Sequence, residues 1–176
     1  HPGTVIMADC SDADLNDPPH FITGITAKTG FTAITVVKNH SASAIGFLRS
    51  ALKIFEDYRI PVESLPISVD CFSILVSDEK LRPSIYEVIG KLKEQVGADE
   101  VYVNEHIALL AVVGRAMQSR IGMSGQIFSE LGNNRINIKT ISQGADEISI
   151  IIGVEEKDCN KAIRTIYDRF VKGELL

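Results

Sequence analysis

The chain has 176 residues, of which 45% are hydrophobic and 23% charged, a composition typical of a globular protein with one medium or two small domains. Its net charge of −5 argues against a nucleic-acid partner, which would select a basic surface, and no apolar run approaches the roughly 20 residues of a membrane span. The three cysteines and four histidines are scattered, which fits a reducing cytoplasm and predicts neither a disulfide framework nor a metal site.

Residues 1–20 are a lead-in with a predicted short strand at residues 5–7 and an acidic segment closed by Pro18 and Pro19. We interpret the acidic segment as a solvated linker or loop. Because the chain begins with His1 rather than Met, we expect it to be part of a longer protein.

Two segments with strand character follow, and the second is rich in β-branched residues. They predict strands at residues 21–28 and 31–38, with Gly30 in a turn between them. From residue 45 the apolar spacing becomes helical, and Pro61 is expected to end that helix because the residue before proline avoids helical angles. The apolar face of this helix comprises Phe47, Leu48, Ala51, Leu52, Phe55 and Tyr58.

Further strands are predicted at residues 62–66 and 71–76, and a second helix follows them. Asp78 suits the cap of this helix, with Pro83 in its first turn and Gly97 just past its end.

An internal repeat organises the chain, since residues 45–76 recur as residues 121–152 at an offset of 76 (122 − 46 for the glycines) without a gap. Gly46 matches Gly122, Arg59 matches Arg135, and Ser73 matches Ser149. The second copy predicts strands at 100–104, 107–113, 137–142 and 147–153, a helix at 121–131, and a last helix capped by Asp158. The apolar face of the last helix comprises Ala162, Ile163, Ile166, Tyr167 and Phe170.

Each copy is therefore β-α-β-β-α with a closing strand, the ferredoxin-like arrangement in which two helices cover one face of a four-stranded antiparallel sheet. The predicted class is α+β, with two such domains. The second copy lacks a closing strand, whereas strand 21–28 is spare. We predict that this strand completes the second sheet, so that residues 31–105 form the first domain and residues 21–30 with 106–176 form the second, interleaved with it.

Catalytic motifs are absent from the sequence: there is neither a phosphate-binding loop nor a GxGxxG segment, and no catalytic residue is predicted. Two other functions of this fold also lack their signatures. RNA binding would require a basic surface and aromatic residues on the central strands, but Phe72 is the only aromatic residue on the third strand of either copy; metal transfer would require a CxxC pair.

The junction before the first helix is the candidate binding site. Free backbone N–H groups at a helix start favour an anion such as a carboxylate, and Gly46 leaves room for close approach. Glu63, expected nearby on the next strand, could pair with an ammonium group. The two would then hold an amino-acid zwitterion with micromolar-to-millimolar affinity. The alternatives are that Gly46 only permits tight packing and that Glu63 is a solvated carboxylate.

These residues resemble the tandem ACT domains in the C-terminal regulatory region of aspartate kinases. The segment GRAMQSRIGMSGQIFSELGNNRINIKTISQGADEISIII, with its ISQG motif, resembles the family in the second copy, and the Gly-Phe helix start does so in the first. The segment HPGTVI resembles the end of the kinase catalytic domain, which makes residues 1–20 a lead-in from that domain. The resemblance covers nearly the whole chain.

The resemblance implies feedback inhibition by an end-product amino acid, lysine or threonine, of an enzyme that phosphorylates the side-chain carboxylate of aspartate with ATP. Glu63 favours lysine. Ile67 departs from the polar residue of some members, and Met123-Ser124 in place of Phe47-Leu48 makes binding to the second copy doubtful. The implied effector-binding residues are Ser41, Ala44, Gly46, Phe47, Leu48, Val62, Glu63, Ile67, Ser68, Asn137 and Ile138.

The resemblance also implies a homodimer formed through ACT–ACT pairing, a kinase catalytic domain elsewhere in the full-length chain, and no cofactor. Because the catalytic module is outside this chain, we expect no kinase activity from it. Two alternatives stay open: a constitutive dimerisation module with vestigial pockets, and a free-standing amino-acid-sensing ACT protein. The sequence leaves open the identity of the effector and the number of occupied sites.

Overall fold

The computed structural model describes residues 22–39, 45–114, 121–144 and 149–172. The predicted strand at residues 5–7 and the acidic linker lie outside these ranges. The elements in chain order are β1 (Gly24–Val37), α1 (Phe47–Asp57), β2 (Val62–Ser64), β3 (Cys71–Ser77), α2 (Asp78–Leu81), α3 (Ile85–Glu94), β4 (Glu100–Val113), α4 (Met123–Asn133), β5 (Ile138–Gln143), β6 (Ser149–Glu155), a 3₁₀ turn (Glu156–Asp158), α5 (Cys159–Tyr167) and a wider π-type turn (Asp168–Lys172).

The six strands form one antiparallel sheet in the order β2-β3-β1-β4-β6-β5. The two central strands, β1 and β4, have 14 residues each. The prediction of two short strands in each place was wrong. Gly30 (φ 81°) and His106 (φ 59°) sit where the β1–β4 register shifts, so each marks a bulge through which the strand continues instead of a turn.

Each central strand contributes to both halves of the sheet. Residues 24–28 of β1 pair with residues 109–113 of β4, whereas residues 33–37 of β1 pair with residues 100–104. We call β2, β3, α1–α3 and the segments 31–37 and 100–104 the first unit. The second unit is β5, β6, α4, α5 and the segments 24–28 and 107–113. The predicted fold, two interleaved ferredoxin-like sheets, is confirmed; the domain limits at residues 30/31 and 105/106 stay a prediction.

The helices of both units pack on the same face of the sheet. Ile34 and Val36 of β1 point into the first helical core, and Ala108 and Leu110 of β4 point into the second. The alternate residues point the other way, where Phe31, Ala33, Leu75 and Ile107 form a small third cluster. The buried helical residues are Ala51, Ile54, Phe55, Leu81, Val88 and Leu92 in the first unit and Met123, Ile127, Leu131, Cys159, Ala162 and Ile166 in the second.

The helix boundaries depart from the predictions at two prolines. α1 ends at Asp57, and Arg59 already has a left-handed backbone (φ 56°), so the helix stops before Pro61 acts. The predicted second helix is two helices, α2 and α3, because Pro83 lies in the turn between them. Gly97 (φ 66°) follows α3 as predicted, whereas Tyr167 is 49% exposed and does not belong to the buried face of α5.

The repeat is gapless only in its first part. α1 and α4 correspond at an offset of 76, and so do Val62 and Ile138. Val62 pairs with Val76 and Ile138 pairs with Val154, but these two partners correspond at an offset of 78 (154 − 76 = 78). Two residues are therefore inserted before β6, and the predicted match of Ser73 with Ser149 was wrong, since Ser149 corresponds to Cys71. None of the helices in the described ranges is long and apolar enough to cross a lipid bilayer.

Candidate functional site

The start of α1 is an open helix end in the described residues. Gly46 has a left-handed backbone (φ 82°), and no described residue has an atom within 4 Å of the position a Cβ would take. The first helical bond runs from the Ser50 N–H to the Gly46 carbonyl at 2.8 Å, so the N–H groups before Ser50 have no partner within the helix. Among the residues that the structure describes, no side chain makes a cap bond there. These N–H groups and the helix dipole favour an anion.

Lys38, which sequence reasoning missed, adds a cation beside this helix start. Its Nζ lies 5.3 Å from the centre of the Phe47 ring and donates to the Gly97 carbonyl oxygen at 2.9 Å. The Phe47 ring in turn meets the Phe72 ring edge-on, with centroids 5.3 Å apart. The ammonium group is thereby held next to the first residue of α1. The position of Lys38 at the end of the predicted strand 31–38, next to the strand-to-helix junction, was the available signal.

Ile67 and Ser68 lie at this same end of the sheet. Ile67 forms an isolated bridge with Phe72, whose ring contacts Phe47, and its own side chain is 63% exposed. The Ser68 N–H donates to the Cys71 carbonyl oxygen at 2.8 Å. The structure thus groups Ile67 and Ser68 with Gly46, Phe47 and Leu48 at one end of the first unit. Ser41 and Ala44 lie outside the described residues.

Glu63 is not at this end, and the expectation that it lies close to the Gly46 junction within one chain was wrong. β2 starts where α1 ends, about 16 Å from the helix start for an 11-residue helix. Val62 pairs with Val76, five residues along β3 from Cys71, or about 17 Å. The Glu63 carboxylate instead lies 3.8 Å from Nζ of Lys28.

An open groove of about 630 Å³ runs beside α1 at the edge of the first unit. Leu48 and Leu52 of α1 line it, together with Ile60 and Val62 at the start of β2. Val62 is 38% exposed. Arg49, Lys53 and Glu56 also line the groove, so its apolar walls carry charged side chains, and it follows an edge strand whose backbone has β3 on one side only.

The second unit has a similar junction with different chemistry. Gly122 (φ 86°) precedes α4 as Gly46 precedes α1, but Met123 is buried where Phe47 is partly exposed. The position equivalent to Lys38 is Gly114 (114 − 38 = 76), which brings no cation. Ile138 starts β5 and Asn137 directly precedes it, so they lie at the far end of the second unit, as Val62 does in the first.

Metal binding finds no support in the described ranges, where no three His, Cys, Asp or Glu side chains are grouped to hold an ion. The described junctions bring together backbone donors, one ammonium group and apolar walls. They contain no nucleophile paired with a base. This arrangement can bind a small anion and lacks the groups for covalent catalysis.

Comparisons with known proteins agree with this geometry. The ACT domain family model matches residues 110–170. Aspartokinase 3 of Bacillus subtilis is 34% identical over 156 residues, which are 88% of this chain and 34% of that protein. The crystal structure of Clostridium acetobutylicum aspartate kinase, described as an allosteric enzyme, superposes with a TM-score of 0.82 at 37% identity, covering 86% of this chain and 35% of that one.

A third protein has a similar fold at lower sequence identity. E. coli aspartokinase III, solved in complex with lysine and aspartate in its T-state, superposes with a TM-score of 0.72 at 18% identity, covering 89% of this chain and 34% of that one. This chain spans about a third of the length of the relatives described here.

The duplicated fold and the family match place the chain among the ACT-domain proteins. Within them, it belongs with the regulatory region of aspartate kinases, as the sequence resemblance predicted.

Proposed function

We propose that this chain is the amino-acid-sensing region of an aspartate kinase and that its effector binds at the junction between β1 and α1. The observation that carries the proposal is the convergence of the open N–H groups after Gly46 with the Lys38 ammonium group beside Phe47. Together they offer a carboxylate both backbone donors and a cation. The second junction has Gly114 and a buried Met123, so we assign binding to the first unit.

Lysine is the favoured effector and threonine the alternative. A bound lysine needs an acidic partner for its side-chain ammonium group, and Glu63 is the acidic residue at the start of β2. E. coli aspartokinase III was solved with lysine bound, which supports the same ligand class here. Neutral threonine would not use Glu63 in this way.

A dimer reconciles Glu63 with a site at the other end of the unit. Residues 62–68 form the outer edge of the first unit, from Val62 opposite Val76 to Ile67 opposite Phe72. If two copies pair antiparallel along this edge, residues 62–63 of one copy face residues 67–68 of the other. Glu63 of the partner subunit would then stand near Phe47, and the effector would bridge the two copies.

Regulation follows from such a bridging site. A ligand that contacts two copies stabilises the quaternary arrangement in which both contacts are made, with a coupling typically of about 1–3 kcal/mol. We propose that this shift inhibits the ATP-dependent phosphorylation of aspartate by a catalytic domain in the full-length protein. The chain described here aligns with the regulatory part of its relatives, so we assign it no kinase activity of its own.

Calorimetric titration with lysine and with threonine tests the proposal, using Lys38→Met, Glu63→Gln and, as a matched control, Lys93→Met. Lys93 is exposed on α3, and within the described residues it makes no hydrogen bond or ion pair. We expect lysine to bind in the micromolar-to-millimolar range. Lys38→Met should weaken lysine and threonine alike by about tenfold or more, because a charge-assisted hydrogen bond is lost. Glu63→Gln should weaken lysine alone, and the control should bind normally.

The second candidate is a constitutive dimerisation module. The buried Met123 and Gly114 of the second unit favour it, because this junction lacks the ammonium group and the partly exposed aromatic ring of the first. Sedimentation with and without lysine separates the two functions. A dimer that forms regardless and binds neither amino acid at millimolar concentration supports this second function and contradicts the first.

A further inference from the structure

The second unit has a basic pocket that the effector junctions do not involve. This open cavity of about 630 Å³ lies between the end of α4 and the outer face of α5. Lys157, Lys161, Arg164 and Arg169 line it, against the two carboxylates of Glu130 and Asp168. The lining side chains carry two more positive than negative charges in a chain whose net charge is −5, although Lys157 is also paired with Glu155 outside the lining.

Several donors in the basic pocket are not used by the protein itself. Within the described ranges, the Arg164 guanidinium makes no hydrogen bond or ion pair. Arg169 has only the Phe170 ring, 5.9 Å away. Lys161 donates to the Asn134 carbonyl oxygen at 2.6 Å, which holds its ammonium group at the pocket wall with donors to spare. One of the two opposing carboxylates, Glu130, already accepts from the Asn134 side chain at 3.1 Å.

The equivalent place in the first unit is filled. The first helices correspond at an offset of 76, so Asn134 corresponds to Tyr58. The second helices correspond at an offset of 74, because buried Val88 and Leu92 match buried Ala162 and Ile166. The Tyr58 hydroxyl donates to Oε2 of Glu87 at 2.7 Å, and Lys91 lies over the Tyr58 ring at 4.7 Å.

The second copy carries more positive charge at this place than the first. Lys161 stands where the first copy has Glu87, Arg164 where it has Gly90, and Arg169 where it has Gln95 (161 − 87 = 74). In the opposite sense, Thr165 stands where the first copy has Lys91, and Glu130 where it has Ile54. The balance of these changes is positive, and the second copy also lacks the Tyr58 ring that fills the first.

We propose that the basic pocket of the second unit binds a phosphate-bearing anion, either inorganic or carried by a nucleotide. Arg164 and Arg169 would form forked hydrogen bonds with phosphate oxygens, and Lys161 would supply a further ammonium group. Two or more negative charges on the anion would match the excess charge of the pocket. The proposal is independent of the effector junction, which lies in the other unit.

Calorimetric titration of the chain with phosphate, pyrophosphate and ADP, at physiological ionic strength, tests the proposal. Screening is then strong beyond about 8 Å, so a diffuse counterion effect would not give saturable binding. We expect one saturable site for pyrophosphate. Arg164→Gln should weaken it by about tenfold or more, since charge-assisted bonds are lost, whereas Lys93→Gln on α3 should leave it unchanged. ADP binding tighter than pyrophosphate would identify a nucleotide, and equal binding would identify the phosphates alone.

A double variant, Asn134→Tyr with Lys161→Glu, transplants the pair that fills the first unit and should abolish pyrophosphate binding. Arg164→Gln should melt at the wild-type temperature without ligand, because the guanidinium has no partner to lose. The absence of saturable binding by all three anions would overturn the proposal. Binding that survives both Arg164→Gln and the double variant would overturn it as well.

Discussion

Arg59 and Arg135 occupy the same backbone conformation, with φ of 56° and 57°, at the ends of α1 and α4. Each lies two residues after its helix and donates its N–H back to a carbonyl three residues earlier, Glu56 in one case and Gly132 in the other. Left-handed backbone costs an L-residue about 1–2 kcal/mol. The duplicated strain shows that this turn, and not the following proline, sets the direction of the chain into β2 and β5.

We therefore predict that Arg59→Gly will leave stability unchanged or raise it by up to about 1 kcal/mol, because relief of the left-handed cost exceeds the extra entropy of glycine. Arg59→Val should instead lose at least about 1 kcal/mol, since a β-branched residue tolerates this conformation poorly. Urea denaturation measures both. The same substitutions at Arg135 should give the same order, and a more stable valine variant would contradict the argument.

A second prediction concerns Gly153, which pairs with Thr140 across β5 and β6. A Cβ at residue 153 would come within 2.4 Å of Cγ2 of Thr140. Gly153→Ala should therefore destabilise the chain by about 1–3 kcal/mol through overpacking. Adding Thr140→Ser removes the obstructing methyl and should restore most of the loss, as a double-mutant cycle by urea denaturation would show. Additive effects of the two changes would argue against the clash.

Thr32 is the single buried polar side chain of the described ranges, and its hydroxyl donates to Oδ1 of Asp78 at 2.6 Å. The bond ties β1 to the first turn of α2. Thr32→Val should cost about 1.5–3 kcal/mol, because a hydrogen bond to a charged acceptor is lost at constant shape. Thr26→Val, on the exposed side of β1, is the matched control and should change stability by less than about 0.5 kcal/mol. Equal effects of the two variants in thermal melts would refute the role of the bond.

Glu155 makes stability depend on pH. Hydrogen bonds from Lys157 and from Lys139, the latter at 3.0 Å, lower the pKa of the Glu155 carboxyl from 4.5 to about 2. A carboxyl whose pKa is lower in the folded state stabilises the fold above its ordinary pKa, and this stabilisation is lost as pH falls through the folded value. We predict that Glu155→Gln lowers stability at neutral pH and that the difference from wild type disappears between pH 4.5 and about 2.

Urea denaturation across this pH range measures the effect. Glu94→Gln, at an exposed end of α3, is the control and should show no comparable convergence with wild type. If the free energy of unfolding of Glu155→Gln differs from that of wild type by the same amount at every pH, the carboxylate is not stabilised by its two lysines.

Most of the fold could be predicted because the signals were local. The helical spacing around Ala51 and Ile127 and the β-branched runs of β1 and β4 each reflect the face an element buries. The exchange of strand 24–28 followed from counting strands. The continuity of β1 through Gly30 could not be predicted, because a glycine with positive φ serves a turn and a bulge equally well until the partner strand is known. His106 gave no signal for the same bulge in β4.

The candidate site was harder to predict because it depends on distances that the sequence does not express. Gly46 was proposed from the helix start, and Phe47 from the resemblance to the regulatory region. Glu63 was placed at the wrong end because the 11 residues of α1 lie between it and the junction, and the length of that helix separates the two in space. Lys38 was missed because its role comes from contacts with Phe47 and Gly97, on two different elements.

The exchange between the central strands has a consequence for synthesis on the ribosome. Residues 24–28 are synthesised some eighty residues before their partners, residues 109–113. Until those partners are made, segment 24–28 has an unsatisfied edge. The second unit cannot complete its sheet during that interval, and segment 24–28 is exposed to chaperones or to a neighbouring nascent copy.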